Sequence, residues 1–175
     1  MRIITLHPTP AYNSSIEADR KFLQLAQETR SQSDDPKAAI MPSSGVGCVI
    51  VKDGEILSTS ANVLPPIEAA ILLNATGGQI SPADRYHLLE HAERAAIYKA
   101  ISKFGPIHGS DLYCSRFPCS DCARAIAWSG IRRVILAEDL PNPEELNPDA
   151  RHWVDSQRAA ARIFEAAGIQ LTVIR

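Results

Sequence analysis

The chain has 175 residues, 45% hydrophobic and 22% charged, with a formal net charge of -2. That is about one domain's worth of chain, enough to bury a core without disulfide or metal staples, and the composition excludes disorder and collagen-like repeats. A pI of about 6.2 argues against a broad basic surface for nucleic acid, no run approaches the ~18 apolar residues of a membrane span, and the first residues lack the apolar stretch of a signal peptide. A cytoplasmic, non-membrane protein is expected, organised as one domain over 1–175.

Residues 1–14, with Pro8, Pro10 and Asn13, are expected to form an extended N-terminal arm. From Ser15, a plausible N-cap, to about Thr29 the apolar residues fall at helical spacing. Residues 31–45 are polar and Pro-containing and are expected to loop over a site. Gly45–Val51 is apolar and β-branched, Lys52-Asp53-Gly54 signals a turn, and Glu55–Ala61 follows, which together predict a hairpin. Residues 62–85, with Pro65-Pro66 and Gly77-Gly78, are irregular and are expected to form an insertion loop; loops of this length are often functional.

A helical pattern then runs from about Tyr86 to Lys103. Asp111–Ser115 predicts a short strand. Cys119 to Trp128 predicts a helix that stops at Gly130, and Arg133–Ala137 a strand. Residues 139–149 form a Pro-rich connection. A long helix is expected from about Arg151 to Ala167, stopped by Gly168, with His152-Trp153 at its start within possible reach of a site. Ile169–Ile174 closes the chain as a strand. The order of elements predicts an α/β fold in three α-β-α layers around a five-stranded mixed sheet.

The chemistry concentrates in two short stretches. His91-Ala92-Glu93 and Pro118-Cys119-Ser120-Asp121-Cys122 each fall at the opening of a helix. One imidazole and two thiols make three protein ligands, the number a catalytic zinc site uses while keeping its fourth position for water. A Cys-x-x-Cys at a helix start brings both sulfurs to one turn, where the helix dipole favours thiolate. Glu93 can stand beside the metal without ligating it and serve as general acid and base. Taken alone, a Cys-x-x-Cys is redox or structural zinc about half the time. A structural site, however, calls for a fourth protein ligand and has no use for Glu93. Cys48 and Cys114 lie in strand patterns and are expected to be core residues.

In these stretches the chain resembles the cytidine and deoxycytidylate deaminase superfamily, whose zinc enzymes carry H-x-E followed by P-C-x-x-C. Within it the chain is most similar to the deoxycytidylate deaminases. The similarity lies in Leu112–Ile126, in Ser129-Gly-Ile-Arg-Arg-Val134, in Gly47–Val51 with Asn62 and Pro65, and in the spacing from Asp139 through Trp153 to Gly168. The resemblance implies a catalytic Zn2+ held by His91, Cys119 and Cys122, with Glu93 as the proton shuttle. The family's extra Cys/His residues for a second, structural zinc have no clear counterpart over 62–85, where only His87 is available, so one Zn2+ per chain is expected. It implies that Asn62 binds the sugar and that the Ala92 backbone meets the base. Phe117 is a candidate to stack on the base. The expected reaction converts dCMP to dUMP and ammonia, in a homo-oligomer.

Two departures keep other substrates open. The segment after Glu93 reads Arg94-Ala95-Ala96-Ile97, which lacks the asparagine of the deoxycytidylate enzymes and is similar to the nucleoside cytidine deaminases. The arginine those enzymes carry late on this helix is replaced by Ser102-Lys103. Lys103, Arg116 and Arg124 are therefore the candidates for a phosphate. The alternatives are a nucleoside cytidine deaminase, a deaminase of another amino-heterocycle such as guanine, a pterin or a modified base, and a non-catalytic zinc-binding structural protein. An RNA- or DNA-acting deaminase is disfavoured by the charge balance. The apolar residues Ile126 and Trp128 suggest a subunit contact.

Overall fold

The computed structural model describes residues 15–66, 80–81, 84–138, 140 and 151–174. The expected arm over 1–14, most of the 62–85 insertion and almost all of the 139–149 connection lie outside the described residues.

Helix α1 spans Ile16–Thr29 and is capped as the sequence suggests: the Ser15 side chain accepts from the Ala18 N–H. A short α2, Pro36–Ile40, interrupts the segment expected to be a loop. Asp35 caps it through the Lys37 N–H, and Pro36 supplies a φ already set for a first helical turn. Strands β1, Gly47–Lys52, and β2, Glu55–Ala61, form the predicted hairpin, with a register irregularity between Ile50 and Val51.

The helical pattern from Tyr86 divides into two pieces, α3, Arg85–Leu88, and α4, Ala92–Phe104. The chain between them is extended because Glu90 pairs with Val63 in an antiparallel bridge, with N–H to O distances of 2.8 and 3.1 Å. A backbone partner from outside the local sequence thus overrides a continuous helical period. The remaining elements are β3, Asp111–Cys114; α5, Ser120–Ser129; β4, Arg133–Leu136; α6, Arg151–Ala166; and β5, Gln170–Val173.

The sheet order is β2-β1-β3-β4-β5. β1 runs antiparallel to β2 and β3, whereas β3, β4 and β5 are parallel. Parallel neighbours need crossovers, and α5 and α6 supply them. Both sheet faces are covered, so the central strands are apolar on both sides. On one face Cys48, Ile50, Leu112, Cys114, Val134 and Leu136 pack under α4, α5 and α6, together with Ala96, Ile126, Ala160 and Phe164. On the other, Val49, Val51, Tyr113 and Ile135 meet Leu23 and Ala26 of α1. This is the expected three-layer α/β fold with a five-stranded mixed sheet. Cys48 and Cys114 are cross-strand neighbours buried in the core.

Candidate metal centre and active site

His91 and Cys119 occupy the same place on two different helices. Each is the residue just before the first turn, of α4 and of α5, with extended backbone angles, and neither uses its side chain to cap its own helix. An N-cap is ordinarily a Ser, Thr, Asp or Asn whose side chain satisfies a free N–H. Here both side chains are turned instead toward a shared point. Cys122, on the first turn of α5, joins them. His91 Nδ1 lies 3.6 Å from Cys119 Sγ and 3.4 Å from Cys122 Sγ, and the three ligand atoms all fall within 4.8 Å of one another. Tetrahedral N and S ligands about 2.0–2.3 Å from zinc stand roughly 3.5 Å apart, so the spacing suits that ion. Among the described residues, this is the cluster of three or more His, Cys, Asp or Glu groups that could hold a metal.

Glu93 sits against the cluster from the first turn of α4. It is 3% exposed, and its Oε2 is buried with no hydrogen-bond partner. An unsatisfied buried carboxylate oxygen is costly. Its position beside three ligand atoms matches a carboxylate kept for reaction rather than for structure. Burial raises its pKa, outweighing the pull of His91 in the opposite direction. The hydrogen bond from Cys122 brings Cys119 down to about 4, against the effect of burial, with His91 adding to the same trend. Cys122 moves the other way, raised by its bond to Cys119 and by burial. His91 is raised by its hydrogen bond to Cys119.

With this geometry, the comparisons with known proteins decide the family. The cytidine and deoxycytidylate deaminase zinc-binding region matches residues 16–138. The chain belongs to the cytidine and deoxycytidylate deaminase family. It is accordingly a zinc-dependent deaminase, a hydrolase acting on C–N bonds. It is 28% identical over 159 residues to an uncharacterized deaminase in the luxG 3' region of Aliivibrio fischeri, covering 87% of this chain and 90% of the relative. It is 28% identical over 156 residues to the deoxycytidylate deaminase of Mus musculus, covering 88% and 78%. In fold it is similar to the dCMP deaminase of cyanophage S-TIM5, with a TM-score of 0.63, 20% identity, and coverage of 92% and 100%.

The deaminase brings some of the sequence candidates together and separates others. Ala92 opens α4 between His91 and Glu93 and is fully buried. Asn62 is buried at the end of β2, where its Oδ1 accepts from the Val46 N–H at 2.9 Å. Phe117 belongs to the core, its ring 6.4 Å from that of Phe164. Lys103 lies at the far end of α4, about 18 Å along the axis from His91 at ~1.5 Å per residue, with its Nζ over the Phe104 ring. Arg124 is exposed and paired with Asp121. Arg116 stands on the loop leading to Cys119. Ile126 is fully buried core and does not contribute to a surface, whereas Trp128 is 91% exposed.

Other residues at the centre carry no motif. Glu90 Oε1 accepts from the His91 N–H at 2.9 Å and from Arg94 Nε at 2.5 Å, which fixes the chain as it enters α4. Trp153, on α6, places its ring 6.4 Å from the His91 ring. Ser156 and Gln157 of the same helix bond the backbone on either side of Cys119. The Glu90–Arg94 pair was readable as an i,i+4 ion pair; of the α6 contacts, the approach of Trp153 was expected from the sequence, whereas those of Ser156 and Gln157 were not. A cleft of about 720 Å³ lined by Gln27, Glu28, Arg30, Ser33, Ala38 and Pro42 shares no residue with this centre.

Proposed function

We propose that the protein removes the exocyclic amine of a free cytosine nucleotide, converting dCMP and water to dUMP and ammonia. His91, Cys119 and Cys122 hold one zinc ion, and Glu93 moves the protons. The convergence of these three ligands on a buried carboxylate with a free oxygen carries the reading. The substrate is taken from the deoxycytidylate deaminase of Mus musculus. Bound zinc supplies a Lewis acid that makes a nucleophile of water near neutral pH.

The chain's own residues supply the rest. Glu93 Oε2 accepts a proton from the attacking water and delivers it to the ring nitrogen. It then takes the hydroxyl proton of the tetrahedral carbon adduct and passes it to the amine, which leaves as ammonia as the C–N bond breaks and the carbonyl forms. Its raised pKa suits a group that must hold a proton between these steps. The Ala92 backbone, at the start of α4, is the candidate to meet the base. The Val46 N–H fixes the Asn62 oxygen, which leaves the Asn62 amide nitrogen to donate to a sugar hydroxyl. Arg116, on the loop before Cys119, is the candidate for the 5'-phosphate.

Ammonia release by the zinc-replete protein is the test, across dCMP, CMP, deoxycytidine, cytidine, cytosine, guanine and adenosine. Preference for dCMP is expected. Absence of turnover on every cytosine compound would overturn the reading. Arg116→Ala should raise KM for dCMP while leaving deoxycytidine turnover unchanged.

The exposed Tyr98, Ile101 and Phe104 of α4 and Trp128 of α5 support a homo-oligomer. Free thiols at Cys48, Cys114, Cys119 and Cys122 support a reducing, cytoplasmic setting.

A further inference from the structure

Cys119 stands where the capping side chain of α5 would be, yet its sulfur is committed to the metal cluster. The first N–H of α5, that of Ser120, therefore needs a partner from elsewhere. Ser156 of α6 provides it: its Oγ accepts from Ser120 N at 3.0 Å and lies 3.0 Å from Ser120 Oγ. On the other side of Cys119, Gln157 Nε2 donates to the Phe117 carbonyl at 3.1 Å. Two consecutive side chains of α6 thus grip the backbone immediately before and after the ligand-bearing segment. One turn earlier on the same helix, the Trp153 ring lies against His91. Residues at i, i+3 and i+4 share one face of a helix, so a single face of α6 touches both sides of the cluster.

The Gln157 amide shows what this face is for. Its Oε1 is buried with no hydrogen-bond partner, so only half of the side chain is satisfied. A residue selected for packing alone would fill this place with an apolar side chain and avoid that cost. The half that is used holds the Phe117 carbonyl, next to Pro118-Cys119.

We propose that Trp153, Ser156 and Gln157 are positioning residues that fix the span between His91 and the Cys119–Cys122 turn, and so control how tightly zinc is held. This rests on the reading of His91, Cys119 and Cys122 as the zinc ligands. None of the three need touch substrate; they act through the backbone of the ligand segment and the face of the imidazole. Partners of this kind behind metal ligands are worth about 10–100-fold in metal affinity. A contact to backbone beside the ligand belongs at the lower end, about tenfold.

The test is zinc release from the full-length, zinc-loaded protein into a chromogenic chelator, together with the visible spectrum of the cobalt-substituted protein. Ser156→Ala and Gln157→Leu should each release zinc about tenfold faster and shift the cobalt bands. Ser156→Thr, which keeps the hydroxyl, should restore slow release. Gln157→Leu also removes the unsatisfied Oε1, so its zinc-free melting temperature should stay near that of the parent. If Ser156→Ala fails to fold, Gln157→Leu alone decides. Ser129→Ala, which deletes the hydroxyl bonded to the Ile126 carbonyl at the other end of α5, is the control and should leave release unchanged. Release at the parental rate in Gln157→Leu, or equal acceleration in Ser129→Ala, would overturn the proposal while leaving the ligand assignment intact. If the unaltered protein held no zinc, the ligand assignment itself would fall.

Discussion

Glu93 is costly to the fold and useful to the reaction. In the unfolded chain its carboxyl ionises at the ordinary value; in the folded protein burial holds the proton to higher pH. The folded state therefore binds more protons above the ordinary carboxylate range. Stability from this group falls as pH rises through that window and stays low at neutral pH. Glu93→Gln removes the charge. The zinc-free variant should melt about 2–4 °C higher at neutral pH if roughly 1 kcal/mol is recovered, a shift that thermal unfolding would measure. The same variant should retain zinc yet lose at least about 100-fold in kcat, since general acid–base groups contribute at least that much. Full activity of Glu93→Gln would remove it from the mechanism. The ligands make their own pH prediction. Cys122 and His91 are both held above their ordinary values, so zinc must displace their protons to bind. Affinity should climb as pH rises from about 6 to 8, with proton release visible in weakly buffered solution.

At the scale of elements, the two faces of the sheet have separate tasks. The face under α4, α5 and α6 carries the metal centre, and the opposite face docks α1. That docking is partly polar: Tyr113 Oη donates to Asp19 Oδ1 at 2.6 Å, and Arg133 Nη2 pairs with Asp19 Oδ2 at 2.6 Å. Tyr113→Phe removes this hydrogen bond to a buried carboxylate and should cost about 1–3 kcal/mol. Zinc release should stay unchanged, because Tyr113 and Cys114 point to opposite faces. A chelator assay beside a denaturant titration would separate the two effects. Close approach of α1 to β1 also depends on Gly47. A Cβ there would stand 2.0 Å from the Ala26 carbonyl oxygen and 2.9 Å from the Arg30 nitrogen. Both are backbone atoms that cannot rotate away, so Gly47→Ala should destabilise by about 1–3 kcal/mol or more.

At the scale of the whole molecule, the exposed aromatic and aliphatic residues of α4 and α5 predict self-association. Light scattering should give a multiple of 19.1 kDa, and Trp128→Glu should lower it; a monomeric parent protein would refute the oligomer. Most elements, the five-stranded mixed sheet and the chemistry of the site were legible in the sequence. These are local properties: a period of apolar residues, a turn signal, a Cys-x-x-Cys that must fall within one helical turn. Much else was not legible. Phe117 was a candidate to stack on the base and Ile126 to face another subunit, yet both are buried in the core. Lys103 read as a phosphate ligand until α4 carried it to the far end. The break before His91 depends on Val63, and the support of Cys119 depends on Ser156 and Gln157. The sequence by itself determined which groups could bind zinc and move a proton, because side-chain chemistry and near-neighbour spacing need no fold. Only the tertiary structure decided which of them meet and what holds them there. Contacts between distant segments follow from how helices pack on a sheet, and that packing leaves no period in the chain.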